Sequence, residues 1–181
     1  MSAKKVISAI TQFIADVYAD SRLTVRGSAV GGVRHQNTTT VGNVLGGLDT
    51  LHSHTLSANA LSTDGQGLLI TAHGSCANNP NSKQMLLDIG GSYVGGGYPA
   101  ISKVSYWSMT CEVYRVSATS IKTVATFHTH EASTPTSEST VTTNTLTKTL
   151  SSTLSITVQG VAVSTNDIVC EASRVVWYSE A

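Results

Sequence analysis

Regular alternation of apolar and polar residues is the feature of this chain that most constrains its fold. Between residues 104 and 118 the apolar side chains fall at every second position: Trp107, Met109, Cys111 and Val113. The residues between them are Tyr106, Ser108, Thr110, Glu112 and Tyr114. Successive side chains of a strand point to opposite faces, so a period of two indicates a strand with one buried face. The pattern predicts a β-strand whose tryptophan side packs on a core.

The same alternation recurs along the chain, at 67–74, 120–130 and 152–160. Further strands are predicted near 48–56, 83–89, 138–147 and 167–178. Turn-forming sequences separate them, at 62–65, 78–81, 95–97 and 164–167. About eight antiparallel strands without intervening helices predict an all-β sandwich, more specifically an antiparallel jelly roll. Residues 132–153, rich in Ser and Thr, fit either a solvated strand pair or a long loop.

Residues 3–21 carry the clearest helical pattern. Val6, Ile10, Phe13 and Val17 recur at spacings of four and three, which predicts a short N-terminal α-helix with one apolar stripe. That stripe packs either on its own domain or on other copies or a neighbouring protein. The predicted organisation is an amphipathic helix at 1–23, a glycine-rich connector at 24–47 and a β domain at 48–181. The connector is either extended along a surface or an early strand with bulges.

Charged residues make up only 12% of the chain, and the net charge is zero. Neutral polar surface is desolvated at lower cost than charged surface, which favours a protein embedded in an assembly, although secreted all-β domains have similar compositions. The sequence has no cluster of basic residues of the kind that nucleic-acid-binding proteins carry. The sequence has no apolar run of membrane-spanning length, and its start does not resemble a secretory signal, so we expect folding in a cytoplasm. The three cysteines are expected to be buried free thiols.

The stretch from residue 51 to 91 resembles a segment of the jelly-roll virion proteins of tailed bacteriophages. In that group a Leu-x-Ser-x-x-Leu strand leads through Ala-Asn-x-Leu and a Gly turn to a Leu-x-Ile strand. Gly-x-x-Ala-x-Asn, a Lys and a second apolar strand then precede Gly-Gly. The matching positions here are Leu51, Ser53, Leu56, Ala58, Asn59, Leu61, Gly65, Leu68, Ile70, Gly74, Ala77, Asn79, Lys83, Leu86 and Gly90.

The closing strands, 152–160 and 167–178, are similar to those of the same group, so the resemblance covers about residues 40–178. It implies a trimeric jelly roll found on phage heads as a decoration or cement protein, or in tail and fibre proteins. It also implies structural roles for every matched residue. The predicted helix lies outside it.

Two His-x-His pairs, His52 with His54 and His128 with His130, are the best candidates for a metal site. Residues two apart in a strand share a face and can chelate a metal together. Cupins use such a pair with a Glu three or four residues further on, but here Glu131 follows immediately and Glu138 is too distant. The apolar residues of 120–130 place His128 and His130 on the outward side. We therefore expect surface or subunit-interface histidines, with a metal on a threefold axis as the alternative.

The other catalytic patterns fail on spacing. The chain has no Gly-x-Ser-x-Gly elbow, and its glycine clusters do not open a helix with a Lys. Trp107, Tyr106 and Tyr114 could line a glycan site, but a core tryptophan and interface tyrosines fit the alternation better. We expect no catalytic, cofactor-binding or metal-binding residue, and hence no enzyme.

The sequence thus favours a structural virion protein, assembled in a bacterial cytoplasm, that decorates a capsid and bridges its capsomers. Its expected partners are two further copies and the major capsid protein, with no nucleic acid and no membrane. The first alternative is a tail-fibre or tail-tip module that recognises a host surface glycan, with Tyr93 and Tyr98 in the loop at 91–99 as its candidate contacts. A cupin-like metal enzyme is the second alternative.

Overall fold

The computed structural model describes residues 23–25, 28–30, 32–44, 46–97, 104–131 and 137–178. All the regular structure in these ranges is β, and every strand pairing is antiparallel. The all-β prediction is confirmed for this part of the chain. The helix predicted at 3–21 lies outside the described residues.

Thirteen strands follow one another in the described ranges. They are β1 (Leu23–Val25), β2 (Ser28–Val30), β3 (Gly32–Asn37), β4 (Val41–Gly42), β5 (Gly47–Leu56), β6 (Gly67–Cys76), β7 (Lys83–Ile89), β8 (Tyr93–Gly97), β9 (Val104–Ser117), β10 (Ser120–Glu131), β11 (Ser137–Thr147), β12 (Leu154–Ala162) and β13 (Ile168–Tyr178).

Two sheets form a β-sandwich. The larger has the strand order β11-β10-β9-β6-β13-β3, with the short β4 also paired to β13. The smaller has the order β5-β12-β7-β8, and β1 pairs with β2 in a hairpin of its own. Buried side chains from the larger and the smaller sheet belong to one apolar cluster, so the core lies between these two sheets.

The core confirms the phase of the predicted strands. Trp107, Met109, Cys111 and Val113 of β9 are all buried, as are Leu68, Ile70 and Ala72 of β6. Ile121, Ala125 and Phe127 of β10 extend the same layer. Ile156 and Val158 of β12 face them from the smaller sheet. Alternation fixed these faces because only one side of each strand can meet the core.

The glycines at 95–97 were predicted as a turn, and that prediction is wrong. They lie in β8, which pairs with β7 and rests on β10. A Cβ on Gly95 would lie 2.4 Å from the Cβ of Ala125, and one on Gly97 would lie 2.4 Å from Cδ1 of Phe127. These glycines let the backbone of β8 approach the facing sheet closely. In the sequence, a run of glycines in a strand looks the same as a run of glycines in a turn.

Two segments left open by the sequence have definite structures. Within 24–47, residues 32–37 and 41–42 are strands that pair with β13, which supports the early-strand interpretation. Within 132–153, residues 137–147 form β11, a half-solvated strand at the end of the larger sheet.

The jelly-roll strand order is not confirmed. Strands β9, β10 and β11 form a meander inside one sheet, and β6 lies between β9 and β13.

Candidate functional site

One broad candidate surface is the side of strands β6, β9, β10 and β11 that points away from the core, here called the outer face. It is built by the residues that alternate with buried ones on four neighbouring strands, and none of them is buried. They are Leu69, Thr71, His73 and Ser75 of β6; Tyr106, Ser108, Thr110, Glu112 and Tyr114 of β9; Lys122, Val124, Thr126, His128 and His130 of β10; and Ser139, Val141, Thr143 and Thr145 of β11.

Hydroxyl and imidazole groups dominate the outer face. Direct cross-strand pairing places Thr71, Thr110, Thr126 and Val141 in one row, and His73, Ser108, His128 and Ser139 in the next. Within this set Glu112 and Lys122 carry the formal charges, which are equal and opposite. On the adjoining strand β13, Glu171 accepts a hydrogen bond from Ser75, and Arg174 pairs with Thr71. The face therefore offers many hydrogen-bonding groups with little charge to desolvate, which suits contact with another neutral surface.

The outward placement predicted for His128 and His130 is confirmed. Both side chains are exposed on β10, where His128 lies between Ser108 and Ser139 and His130 lies beside Tyr106. No group of three His, Cys, Asp or Glu side chains able to hold a metal occurs in the described ranges.

In the other pair His52 is buried, contrary to the expectation from the sequence that these histidines lie on the surface. His52 is 3% exposed, and its strand partner Val158 points into the core. Its Nε2 lies 2.7 Å from the carbonyl oxygen of Thr39 and its Nδ1 lies 2.7 Å from Oγ of Ser173. A carbonyl only accepts, so Nε2–H donates to Thr39 while Nδ1 accepts from the Ser173 hydroxyl. Nδ1 thus ties β5 to β13 of the larger sheet, and Nε2 ties it to the loop between β3 and β4.

His54 is half-buried and stacks on His35 of β3, with ring centroids 4.6 Å apart. The two histidines of the first pair therefore meet different partners. Sequence reasoning missed this arrangement because the facing residues, Thr39, Ser173 and His35, come from distant parts of the chain.

A buried ammonium group organises the loop between β6 and β7. Lys83 is 1% exposed, and its Nζ donates to the carbonyl oxygens of Asn79 and Asn81, both at 3.1 Å, and to Oδ1 of Asn79 at 2.8 Å. A buried charge is tolerated when its donors are satisfied in this way.

The same network continues to the turn before β13. Nδ2 of Asn79 donates to Oδ1 of Asp167 at 2.6 Å, and Nδ2 of Asn81 donates to Oδ2 of Asp167 at 2.8 Å. Burial by itself would raise the pKa of Asp167, but the hydrogen bonds from Asn79, Asn81 and the Ser164 N–H, with the charge of Lys83, hold that pKa below its usual range. Asn79 and Lys83, two positions of the phage-protein resemblance, thus connect two loops.

The three thiols are free and buried, as expected. Burial raises the pKa of Cys76, Cys111 and Cys170 to about 12 in each case. Thiolate is the nucleophilic form, so these groups are poorly suited to covalent chemistry near neutral pH.

Aromatic side chains divide between the core and the surface. Trp107 is 2% exposed, and its Nε1 donates to the carbonyl oxygens of Ser75 at 3.3 Å and Val169 at 3.2 Å. Tyr93 and Tyr106 are 55% and 60% exposed. Tyr98, the other tyrosine of the predicted glycan loop, lies outside the described residues.

A shallow depression of about 240 Å³ lies where β3, β13 and β6 adjoin the outer face. Gln36, Thr71, His73 and Arg174 present polar groups to it. Arg174 is exposed at this depression.

The chain matches no protein-family model and no curated protein. Among solved structures it is similar to the CBM2 module of the evolved Dit of Lactobacillus casei BL23 phage J-1, with a TM-score of 0.36 and 11% identity over 71% of this chain and 69% of that one. At this level the similarity carries no functional argument.

In the residues that the structure describes, no helix has the length and apolar character needed to cross a membrane.

Proposed function

We propose that this protein is a non-enzymatic structural component of a tailed-phage particle, a decoration or cement protein that bridges and stabilises capsomers. The observation that carries the proposal is the outer face, a broad sheet surface of hydroxyl and imidazole groups with one Glu and one Lys. Such a surface docks against neutral protein surfaces without the cost of burying unpaired charges. The resemblance of residues 51–91 supports the assignment to phage virions.

The polar groups best suited to catalysis are engaged in the scaffold. Asp167 and Lys83 join two loops, His52 joins the two sheets, and the thiols are protonated in the core. These roles support a mechanical function, in which each copy adds buried area across a seam between capsomers. Many copies per shell turn modest contacts into strong overall attachment.

Adding purified protein to particles that lack it tests this function. We expect binding to the shell and a higher temperature of capsid rupture, because a ligand of the intact shell stabilises that state. A double variant, Thr110→Lys/Thr126→Lys, should weaken binding, while Ser151→Lys/Val163→Lys, with the same added charge on exposed turns, should not. Particles whose rupture temperature does not respond to bound protein would contradict a cement role.

A second candidate is a tail module that recognises a host surface glycan. The depression beside Arg174 favours it, because a guanidinium flanked by hydroxyl, amide and imidazole groups suits a carboxylated sugar. Binding of acidic polysaccharide to the purified protein, lost in Arg174→Gln, would support this function. Equal binding by both proteins, or none by either, would contradict it.

A further inference from the structure

The larger sheet ends in an unusually regular edge. Strand β11 pairs with β10 over eleven consecutive positions, from Ser120 with Thr147 to His130 with Ser137, without a register shift. In the described part of the chain β10 is its only strand partner. Among the described residues, the opposite side of β11 therefore presents a row of backbone N–H and C=O groups without a strand partner, the template on which another strand can add.

The remaining edges carry features that oppose pairing. Strand β8 is only five residues long, and both its pairing with β7 and that of β5 with β12 contain a register shift. Strand β3, at the far end of the larger sheet, is six residues long and also contains a shift. Short length and bulges are devices by which proteins protect sheet edges.

Strand β11 has none of these devices. It has neither proline nor lysine, and Glu138 is the one ionisable residue in its eleven. Five of its residues are Thr and one is Val, residues with high strand propensity. Val141 is 64% exposed at its centre, with Thr143 exposed beside it. A long edge strand with one charged residue and no register shift is a template for pairing with another strand.

We propose that β11 pairs antiparallel with β11 of a second copy of this chain, so that two larger sheets join into one continuous sheet across a twofold axis. The charge distribution supports this occupant. When the axis passes near Thr142, Val141 lies opposite Thr143 of the other copy, and no like charges face each other. The two Glu138 residues are then eight positions apart along the strands, roughly 27 Å at 3.4 Å per residue.

The pairing also bears on how a shell would be held together, a consequence that rests on the proposed function. A twofold contact cannot close a trimer, because isologous contacts join copies in pairs. Each subunit of a trimer would keep its own β11 edge, and the contact would link neighbouring trimers. Such links would add copy-to-copy bridges to those between decoration protein and capsid.

Sedimentation of the purified full-length protein at several concentrations tests the pairing. For the wild type we expect the smallest species to double in mass as concentration rises. The double variant Val141→Lys/Thr143→Lys places lysines opposite each other and should weaken this doubling at least tenfold. The control Ser151→Lys/Val163→Lys adds the same charge on exposed turns and should behave as wild type. Equal doubling in all three proteins, or none in the wild type, would overturn the proposal.

Single cysteine replacements at each position from 140 to 145 test the antiparallel geometry. The native thiols are buried with a pKa of about 12, so the introduced thiol is the reactive one. In antiparallel self-pairing only residues at the axis face their own copies, so we expect a disulfide-linked dimer at one or two adjacent positions. Dimers at no position, or equally at all six, would contradict the pairing. Both tests use free protein, so their outcome is independent of whether it binds particles.

Discussion

Trp107 shows how one residue links sequence pattern to stability. Its indole is 2% exposed and donates to two carbonyl oxygens, so Trp107→Ala removes packing and leaves acceptors without their donor. We expect a loss of about 3–5 kcal/mol in the free energy of unfolding, and a melting temperature lower by roughly 6–20 °C. The neighbouring Tyr106→Ala, at an exposed site, should shift melting by a degree or two. A similarly small shift for Trp107→Ala would contradict the assigned core.

The lowered pKa of Asp167 should make the stability of the protein depend on pH. Its pKa is lower in the folded protein than in the unfolded chain, so its carboxylate stabilises the fold above the unfolded value near 3.9. This contribution is lost as pH falls below 4 towards the folded pKa. The free energies of unfolding of wild type and Asp167→Asn, measured with denaturant, should therefore differ most near pH 6 and become more similar towards pH 3. A constant difference over that range would contradict the prediction.

Asp64→Asn is the matched control for this experiment. The Asp64 carboxylate pairs with Arg115 but its side chain is 64% exposed, and surface ion pairs contribute about 0–1 kcal/mol. If the difference in free energy of unfolding between wild type and Asp64→Asn also vanished towards pH 3, the pH dependence would arise from surface charge in general and not from Asp167.

At the residue scale, alternation predicted which side chains are buried but not their polar contacts. His128 and His130 could be placed outside because their strand neighbours Ala125 and Phe127 had to face the core. His52 could not be placed, because its burial depends on Thr39 and Ser173, which pairing between distant strands brings to it. The roles of Lys83 and Asp167 depend on such long-range contacts as well.

At the element scale, the sequence predicted the strands that carry clear alternation and missed β8. The glycine run of β8 contains no alternation of apolar and polar residues. Glycine is required there because the backbone lies close to Ala125 and Phe127 of the facing sheet, and the sequence alone does not show that contact. The order of strands within the sheets was equally hidden, because period-two patterns specify faces and not neighbours.

The N-terminal segment yields an element-scale prediction. Both sheets of the sandwich are built from strands β3 to β13, all of which follow residue 31, so we expect the sandwich to fold without the first 23 residues. Burying Val6, Ile10, Phe13 and Val17 on a partner would contribute on the order of 6–10 kcal/mol before entropy costs. Deleting residues 1–23 should leave a folded, soluble protein that no longer joins particles, as judged by circular dichroism and co-sedimentation.

Two outcomes would contradict that prediction. If the truncated protein unfolds, the segment belongs to the domain core. If it still decorates particles at full occupancy, attachment resides in the glycine-rich connector or in the sandwich, and the Thr110→Lys/Thr126→Lys variant then identifies the outer face as the contact.

At the scale of the whole molecule, the resemblance to phage virion proteins predicts a homotrimer. Light scattering of the Val141→Lys/Thr143→Lys variant, in which edge pairing is suppressed, should give three times the chain mass of 18.9 kDa. The low charge of the surface favours such association, since few charged groups need to be desolvated. A stable monomer at micromolar concentration would contradict the trimer.

Location in the intact particle tests the central claim most directly. Electron cryomicroscopy of purified particles, with and without this protein, should reveal difference density on the outside of the shell, lying across the seams between capsomers. Density confined to the tail would contradict the capsid role and favour the glycan-binding module. Complete absence of the protein from infectious particles would contradict a virion function altogether.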